Sequence, residues 1–238
     1  VKLMKISSPL IQKKKKFLIT DLVFGILFLI FLLSFGVLFV VYFRPLYYAD
    51  IHLLNLDKIT GLSAQEIRAN YNALINYCSV FHRGTLQFPS LPSSAQGLSH
   101  FAEVKVLFDG FHISALVSTI FLVIGIWYKK RKDQYSYLLI SAITVLVLPI
   151  ITALACLINF NAAFVLMHKI FFRNDDWMFN PSTDPIINLL PETFFLHCAL
   201  IIILIIFLGS LILYLCYRHQ KNQHKNTPLL QVNRNYIY

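Results

Sequence analysis

Charge is what this chain has least of. Only 13% of its 238 residues are charged, just eleven are acids, and 57% are hydrophobic. Soluble domains carry charge at roughly a quarter of positions, so an ordinary soluble fold is excluded. Acids are missing from the deep parts of the apolar runs. Asp21 lies near one end of the first run, within reach of water, which disfavours an ion-coupled transporter. Glycine is scarce as well, and no glycine-rich phosphate loop occurs. There is no GxSxG elbow and no HExxH helix. A serine-elbow hydrolase and a nucleotide-driven transporter are therefore disfavoured. Cysteine is scarce too: Cys156, Cys198 and Cys216 sit in or at the ends of apolar runs, and Cys78 stands alone, which makes no disulfide framework.

What the chain has in abundance is apolar sequence. A bilayer core needs about 20 mainly apolar residues per helix, and four runs qualify: Phe17–Phe43, Phe111–Tyr128, Tyr135–Asn159 and Phe194–Tyr217. The first is too long for a signal peptide and no small-residue cleavage site follows it, so it reads as a retained span. The expected fold is an all-α membrane protein of four transmembrane helices with two helical extracytoplasmic segments, 44–110 and 160–193. A basic tail (1–16) precedes the 17–217 membrane domain, an inner loop covers 129–134, and a second tail covers 218–238. Orientation follows from lysine and arginine. Fourteen of the 21 fall in the two tails and the 129–132 stretch, with Asp133 the one acid among them. The positive-inside rule then places both termini in the cytoplasm of a multi-pass protein of the cell membrane. The net charge of +10 is thus a topology signal and not a nucleic-acid footprint.

Within 44–110, Ser63 and Glu66 form a capping-box pattern, and Ile67, Tyr71, Leu74, Ile75 and Cys78 follow at helical spacing. That stripe suits a helix lying on the membrane or on the protein's own spans. The stretch 84–97 reads as loop, and Ser99 as the N-cap of a helix continuing into the second span, with His100 and Glu103 on one face. Within 160–193 an apolar start carrying His168 turns through 173–181, and Pro185 and Pro191 mark helix starts. Trp177 fits an interface anchor. Pro149 predicts a kink in the third span, and the polar tail from His219 reads as irregular.

Of the eight histidines, His52, His82, His219 and His224 lack an evident partner, and His112 and His197 lie at span ends. His100 and His168 keep polar company. Glu103 and Lys105 follow His100, and Arg173, Asn174, Asp175 and Asp176 follow His168. Imidazole, with an unperturbed pKa of about 6.5, suits proton transfer near neutral pH, and a carboxylate can orient it. A metal site drawn from His100, Glu103, His168 and Asp176 is conceivable, but no tight ligand spacing calls for it. Two alternatives stand beside an acid–base enzyme: a metal-dependent membrane hydrolase, and a non-enzymatic membrane protein that binds lipid or a partner through its extracytoplasmic segments.

The strings SSAQGLSHFAEVKVLFDG and MHKIFFRNDDWMFNPSTDPIINLLPETFF, with the four spans, resemble the lipoprotein intramolecular transacylases (Lit) of Gram-positive bacteria. The resemblance runs from the first span to the last. It implies an acyltransferase that moves the sn-2 acyl chain of a diacylated lipoprotein from glycerol to the α-amino group of the N-terminal cysteine, leaving a lyso-form lipoprotein. It carries His100 and His168 over as the catalytic pair. Glu103 would orient His100, Lys105, Arg173 or Asn174 would stabilise the oxyanion, and Asp176 would support them. Trp177, Phe101 and Phe172 are candidates to meet substrate or the interface. The implied partners are the lipoprotein and membrane lipid, with no cofactor and no metal. Two positions depart from the family pattern: Glu103, where Asp is frequent, and Asn180-Pro181, where the family has Asp-Pro.

Overall fold

A computed structural model describes residues 9–234, with side chains over 19–223, and every regular element among them is helical. In chain order these are α1 (Pro9–Tyr42), α2 (Arg44–Leu53), α3 (Leu56–Thr60), α4 (Ala64–Tyr77), α5 (Ala95–Arg131), α6 (Ser136–Phe171), a 3-10 turn (Pro185–Leu189) and α7 (Glu192–Arg234). Each expected span coincides, to within a residue at either end, with part of one of four helices long and apolar enough to cross a membrane. The segment before the second span does run on into it. At 37 residues α5 is about 55 Å long, well beyond a hydrocarbon core of about 30 Å.

Two local readings are corrected, at the start of α5 and in the tail, and the end of the third span gains detail. The chain enters α5 one turn earlier than Ser99, because Ser94 is the cap: its Oγ accepts the Gly97 N–H at 2.9 Å. α6 stays helical through Pro149 and breaks at Asn159 (φ −161°, ψ 101°), the residue where the expected third span ends. The Asn159 side chain accepts the Ala162 N–H at 2.9 Å, so it ends one helical run and caps the next. The tail from His219 continues as helix to Arg234, with Pro228 inside it.

Contacts divide the chain into two compact units. One comprises Val1–Leu32, Val117–Pro149 and Ile206–Tyr238. Its centre is a buried ion pair, Asp21 with Lys129 at 2.7 Å, at 1% and 3% exposure. Thr20 also accepts from the Lys129 ammonium, and the Ser136 hydroxyl donates to the second Asp21 oxygen at 2.6 Å. Asp21 therefore meets a cation and a hydroxyl where the sequence suggested water. Gly125 packs against the Phe24 ring, which leaves no room for a Cβ, and the Ser210 hydroxyl donates to the Ala142 carbonyl. Small residues at helix contacts are what membrane packing favours.

The other unit comprises Leu33–Leu116 and Ile150–Ile205. Its core forms where the α4 stripe, Ile67, Tyr71, Leu74, Ile75 and Cys78, meets Tyr47, Ile51, Leu56, Leu189 and Phe194. Of the two expected seats for α4, its stripe takes the protein's own helices. The Ser63–Glu66 capping box forms as expected. Tyr47 and Tyr71 stack at 3.7 Å between centroids. Asn70, fully buried, clamps the following loop to α4 through both the hydroxyl and the N–H of Ser90. Burial pushes the Cys78 thiol up to about 12, which leaves it a packing residue.

One long-range contact positions the start of α5. Asp184, buried, accepts the Ser94 N–H at 2.8 Å and the Thr183 hydroxyl at 2.7 Å, and its carboxylate lies flat against the Cα of Gly97. Burial alone would raise this carboxyl, but the hydrogen bonds from Ser94 and Thr183 outweigh it and hold it below the usual carboxylate range. Asp184 thus adds stability at neutral pH that is lost as pH falls through its lowered pKa. Gly97→Ala drives a Cβ into that carboxylate. We expect it to cost about 1–3 kcal/mol, the range for overpacking, read as a lowered thermal midpoint in detergent. In Gly97→Ala/Asp184→Ala the two losses should not add, because the second change removes the first one's clash.

Candidate active site

His100 and His168 reach the same place from opposite directions. His100 sits on α5 one turn beyond Gly97, so the Asp184 contact fixes its helix where it begins. His168 sits on the stretch of α6 that Asn159 recaps, with Asn161, Phe164 and Val165 on the same face at three- and four-residue spacing. The imidazole centroids are 6.0 Å apart with ring planes 33° off parallel. Both residues are buried, at 6% and 9% exposure. Aromatic rings enclose them. Phe172 and Phe179 pack on His100 at 4.7 and 5.4 Å, with Phe101 at 5.9 Å. Phe164 and Trp177 pack on His168 at 4.2 and 4.9 Å.

Hydrogen bonding fixes one tautomer. His168 Nδ1 is 2.9 Å from the Phe164 carbonyl oxygen. A carbonyl only accepts, so Nδ1 carries the proton and, in the neutral ring, Nε2 holds the basic lone pair. His100 Nδ1 is buried with no protein hydrogen-bond partner.

The 173–177 turn is organised by Asn174. Its side-chain amide donates to Glu103 Oε1 at 2.7 Å, its Oδ1 accepts the Asp176 N–H, and its carbonyl accepts the Trp177 indole N–H at 3.0 Å. The Gln96 side chain ties the same turn to α5 through the Asp175 carbonyl. Trp177, expected as an interface anchor, is thus half-buried on His168, while Arg173 stays exposed. Lys105 turns elsewhere: its ammonium donates to the Ser79 carbonyl at 2.7 Å and lies 3.6 Å from Asp109. The structure therefore gathers His100, His168, Glu103, Asn174, Asp176, Trp177, Phe101 and Phe172, and leaves Lys105 and Arg173 outside. Glu103 spends one oxygen on Asn174, not on His100 Nδ1. Among the described residues no three His, Cys, Asp or Glu side chains converge as metal ligands.

A groove of about 400 Å³ adjoins the histidines, lined by Phe164, Val165, Trp177, Phe179, Leu190 and Glu192 among others. Phe164, Trp177 and Phe179 belong both to its wall and to the cage around the imidazoles. At its polar end the Asn161 amide donates to Glu192. The sequence reading missed an imidazole–carboxylate contact. His197 Nδ1 is 2.9 Å from both oxygens of buried Asp50, joining α7 to α2. Pro45 in the first turn of α2 was the available sign that a helix carries Asp50.

Comparison with known proteins gives a family match and a fold match. The family model described as lipoprotein intramolecular transacylase Lit matches residues 22–195. No curated protein matches the chain. Among solved structures, that of the membrane-integral lipoprotein intramolecular transacylase Lit from Bacillus cereus superposes with a TM-score of 0.85. It is 35% identical over 89% of this chain and 99% of that one. Two further structures of the Bacillus cereus protein, with one histidine changed to arginine or to alanine, give TM-scores of 0.82 at 34% identity. Each covers 92% of this chain, and the matches take in 97% and 99% of theirs.

Proposed function

Because the chain belongs to the Lit family of lipoprotein intramolecular transacylases, multi-pass membrane acyltransferases, we propose that it moves the sn-2 acyl chain of a diacylglyceryl lipoprotein to the α-amino group of the N-terminal cysteine. Paired histidines act as base and acid. The observation that carries this reading is the meeting of His100 and His168, 68 residues apart in sequence, at 6.0 Å between ring centroids in one aromatic cage.

In this mechanism His168 is the base. With Nδ1–H held by the Phe164 carbonyl, its Nε2 takes a proton from the substrate α-ammonium, of pKa about 8. The step is uphill, because burial lowers the imidazole's own pKa although the Phe164 hydrogen bond opposes that shift. The amine nitrogen attacks the sn-2 ester carbon. A C–N bond forms, the C–O bond to glycerol breaks, and the departing oxygen takes a proton relayed through His100. Burial lowers that imidazole's pKa to about 4, so it is neutral at rest and passes on a proton that the nitrogen gives up. Over the whole reaction the ammonium loses two protons, one to glycerol and one to solvent. Ester to amide is downhill, so the reaction needs no nucleotide. Nucleophile and ester belong to one molecule, so the protein's main task is to fold a flexible head group into attack geometry, worth roughly 7–11 kcal/mol. The groove beside His168 supplies an apolar wall for an acyl chain.

The basic tails and the 129–132 cluster support cytoplasmic termini, with the histidines at the extracytoplasmic face, where the lipid-anchored substrate resides. The test in cells is mass spectrometry of a lipoprotein's N-terminal peptide with and without this chain. An N-acylated lyso-form is expected only when it is present. A peptide whose acyl chains stay on glycerol in both cases contradicts the reading.

A further inference from the structure

We propose that Glu103 is the binding group for the substrate's α-ammonium, received on Oε2; this rests on the transacylase reading above and names the part of the site that recognises the nucleophile. Glu103 Oε1 is occupied by the Asn174 side-chain amide at 2.7 Å, whereas Glu103 Oε2 is buried without a protein hydrogen-bond partner. His100 Nδ1 is in the same condition. The two residues stand three apart on α5, so they share a face with Cβ atoms about 5–6 Å apart. Buried acceptors are costly to leave unpaired, a carboxylate oxygen most of all. A ligand suited to the free carboxylate oxygen is small, cationic and rich in N–H donors, which describes a primary ammonium.

The chain's own nearest ammonium does not play this part, since Lys105 is engaged by the Ser79 carbonyl and Asp109. Nor is the carboxylate left to wander. Asn174, which holds it, is itself fixed by the Asp176 N–H and the Trp177 indole, and the same indole packs on His168 at 4.9 Å. The group that would bind the amine and the group that would deprotonate it therefore share one support.

Recognition of this kind separates substrate from product. Before transfer the nitrogen is a cation that a carboxylate holds well. Afterwards it is a neutral amide with one N–H, the charge contact is gone, and the lyso-form product is released more readily. Glu103 would stabilise the ground state more than the transition state, so its removal should appear chiefly in KM.

The test uses the purified full chain in lipid nanodiscs with two unreactive ligands, dialkylglyceryl (ether-linked) cysteinyl peptides that carry either a bare α-ammonium or an N-acetyl group. The wild-type protein should bind the ammonium form about tenfold or more tightly, the size of one charge-assisted hydrogen bond. Glu103→Gln keeps an oxygen acceptor for Asn174, and should bring the ratio close to one. Asn174→Ala, a second variant should the first fail to fold, should lower the ratio in part. With the ester substrate Glu103→Gln should raise KM more than it lowers kcat. No preference in the wild type, or the same preference in Glu103→Gln, overturns the proposal. So does a kcat collapse with the preference intact, which would put Glu103 among the acid–base groups instead. Because the ligands cannot react, this result is independent of whether acyl transfer occurs. A failure of the transacylase reading would show as absent turnover and not as an altered binding ratio.

Discussion

Replacing His168 by alanine is expected to lower transacylation by about 10²–10⁴-fold, the usual contribution of a positioned general acid or base, with the protein still made and inserted. His100→Ala should fall in the same range. The two are one unit in this mechanism, with rings 6.0 Å apart, so the double variant should be little worse than the more damaging single one. Initial rates of N-acyl product formation by purified variants, normalised to folded protein, give the comparison. A membrane protein that only bound lipid or a partner would tolerate both changes. His168→Asn is the sharper variant, since its amide can still donate toward the Phe164 carbonyl that His168 now engages while the basic Nε2 is gone. It should retain the fold and lose the rate.

The second large effect is on stability and lies in the other unit. Asp21 and Lys129 form a hydrogen-bonded pair at 2.7 Å that is almost entirely buried. Removing one partner strands a buried charge, and such changes cost about 3–5 kcal/mol. Asp21→Ala or Lys129→Ala should therefore sharply lower the thermal midpoint and yield of detergent-extracted protein. Replacing both by apolar residues of similar size, Asp21→Leu with Lys129→Met, removes the stranded charge and should recover much of the loss. Single variants as stable as the wild type would show that the pair contributes little.

How much of this was legible in the sequence differs with the range of the interaction. The spans were legible because bilayer thickness imposes a length on apolar runs. The start of α4 was legible because both halves of its capping box, Ser63 and Glu66, lie within one turn. The catalytic candidates were reached through the polar neighbours of His100 and His168 and the family resemblance of the strings around them. The start of α5 was misread because Ser94 is helped by Asp184, 90 residues away. His197 was read only as a span-end residue because Asp50 is separated from it by 147 residues. The end of the third span at Asn159 was legible because an Asn before a fresh apolar run is a capping signal. Glu103 and His100 were correctly placed on one face, but their spacing could not reveal that Asn174 takes the carboxylate oxygen assigned to the imidazole.

The central claim is tested most directly with purified protein and a synthetic diacylglyceryl lipopeptide whose sn-2 chain alone is isotopically labelled. The account predicts that the label moves quantitatively to the α-nitrogen as an amide, leaving an sn-2 hydroxyl, and that His168→Ala leaves it on glycerol. Label remaining on glycerol while an unlabelled acyl group appears on nitrogen, or equal transfer by wild type and His168→Ala, would contradict it.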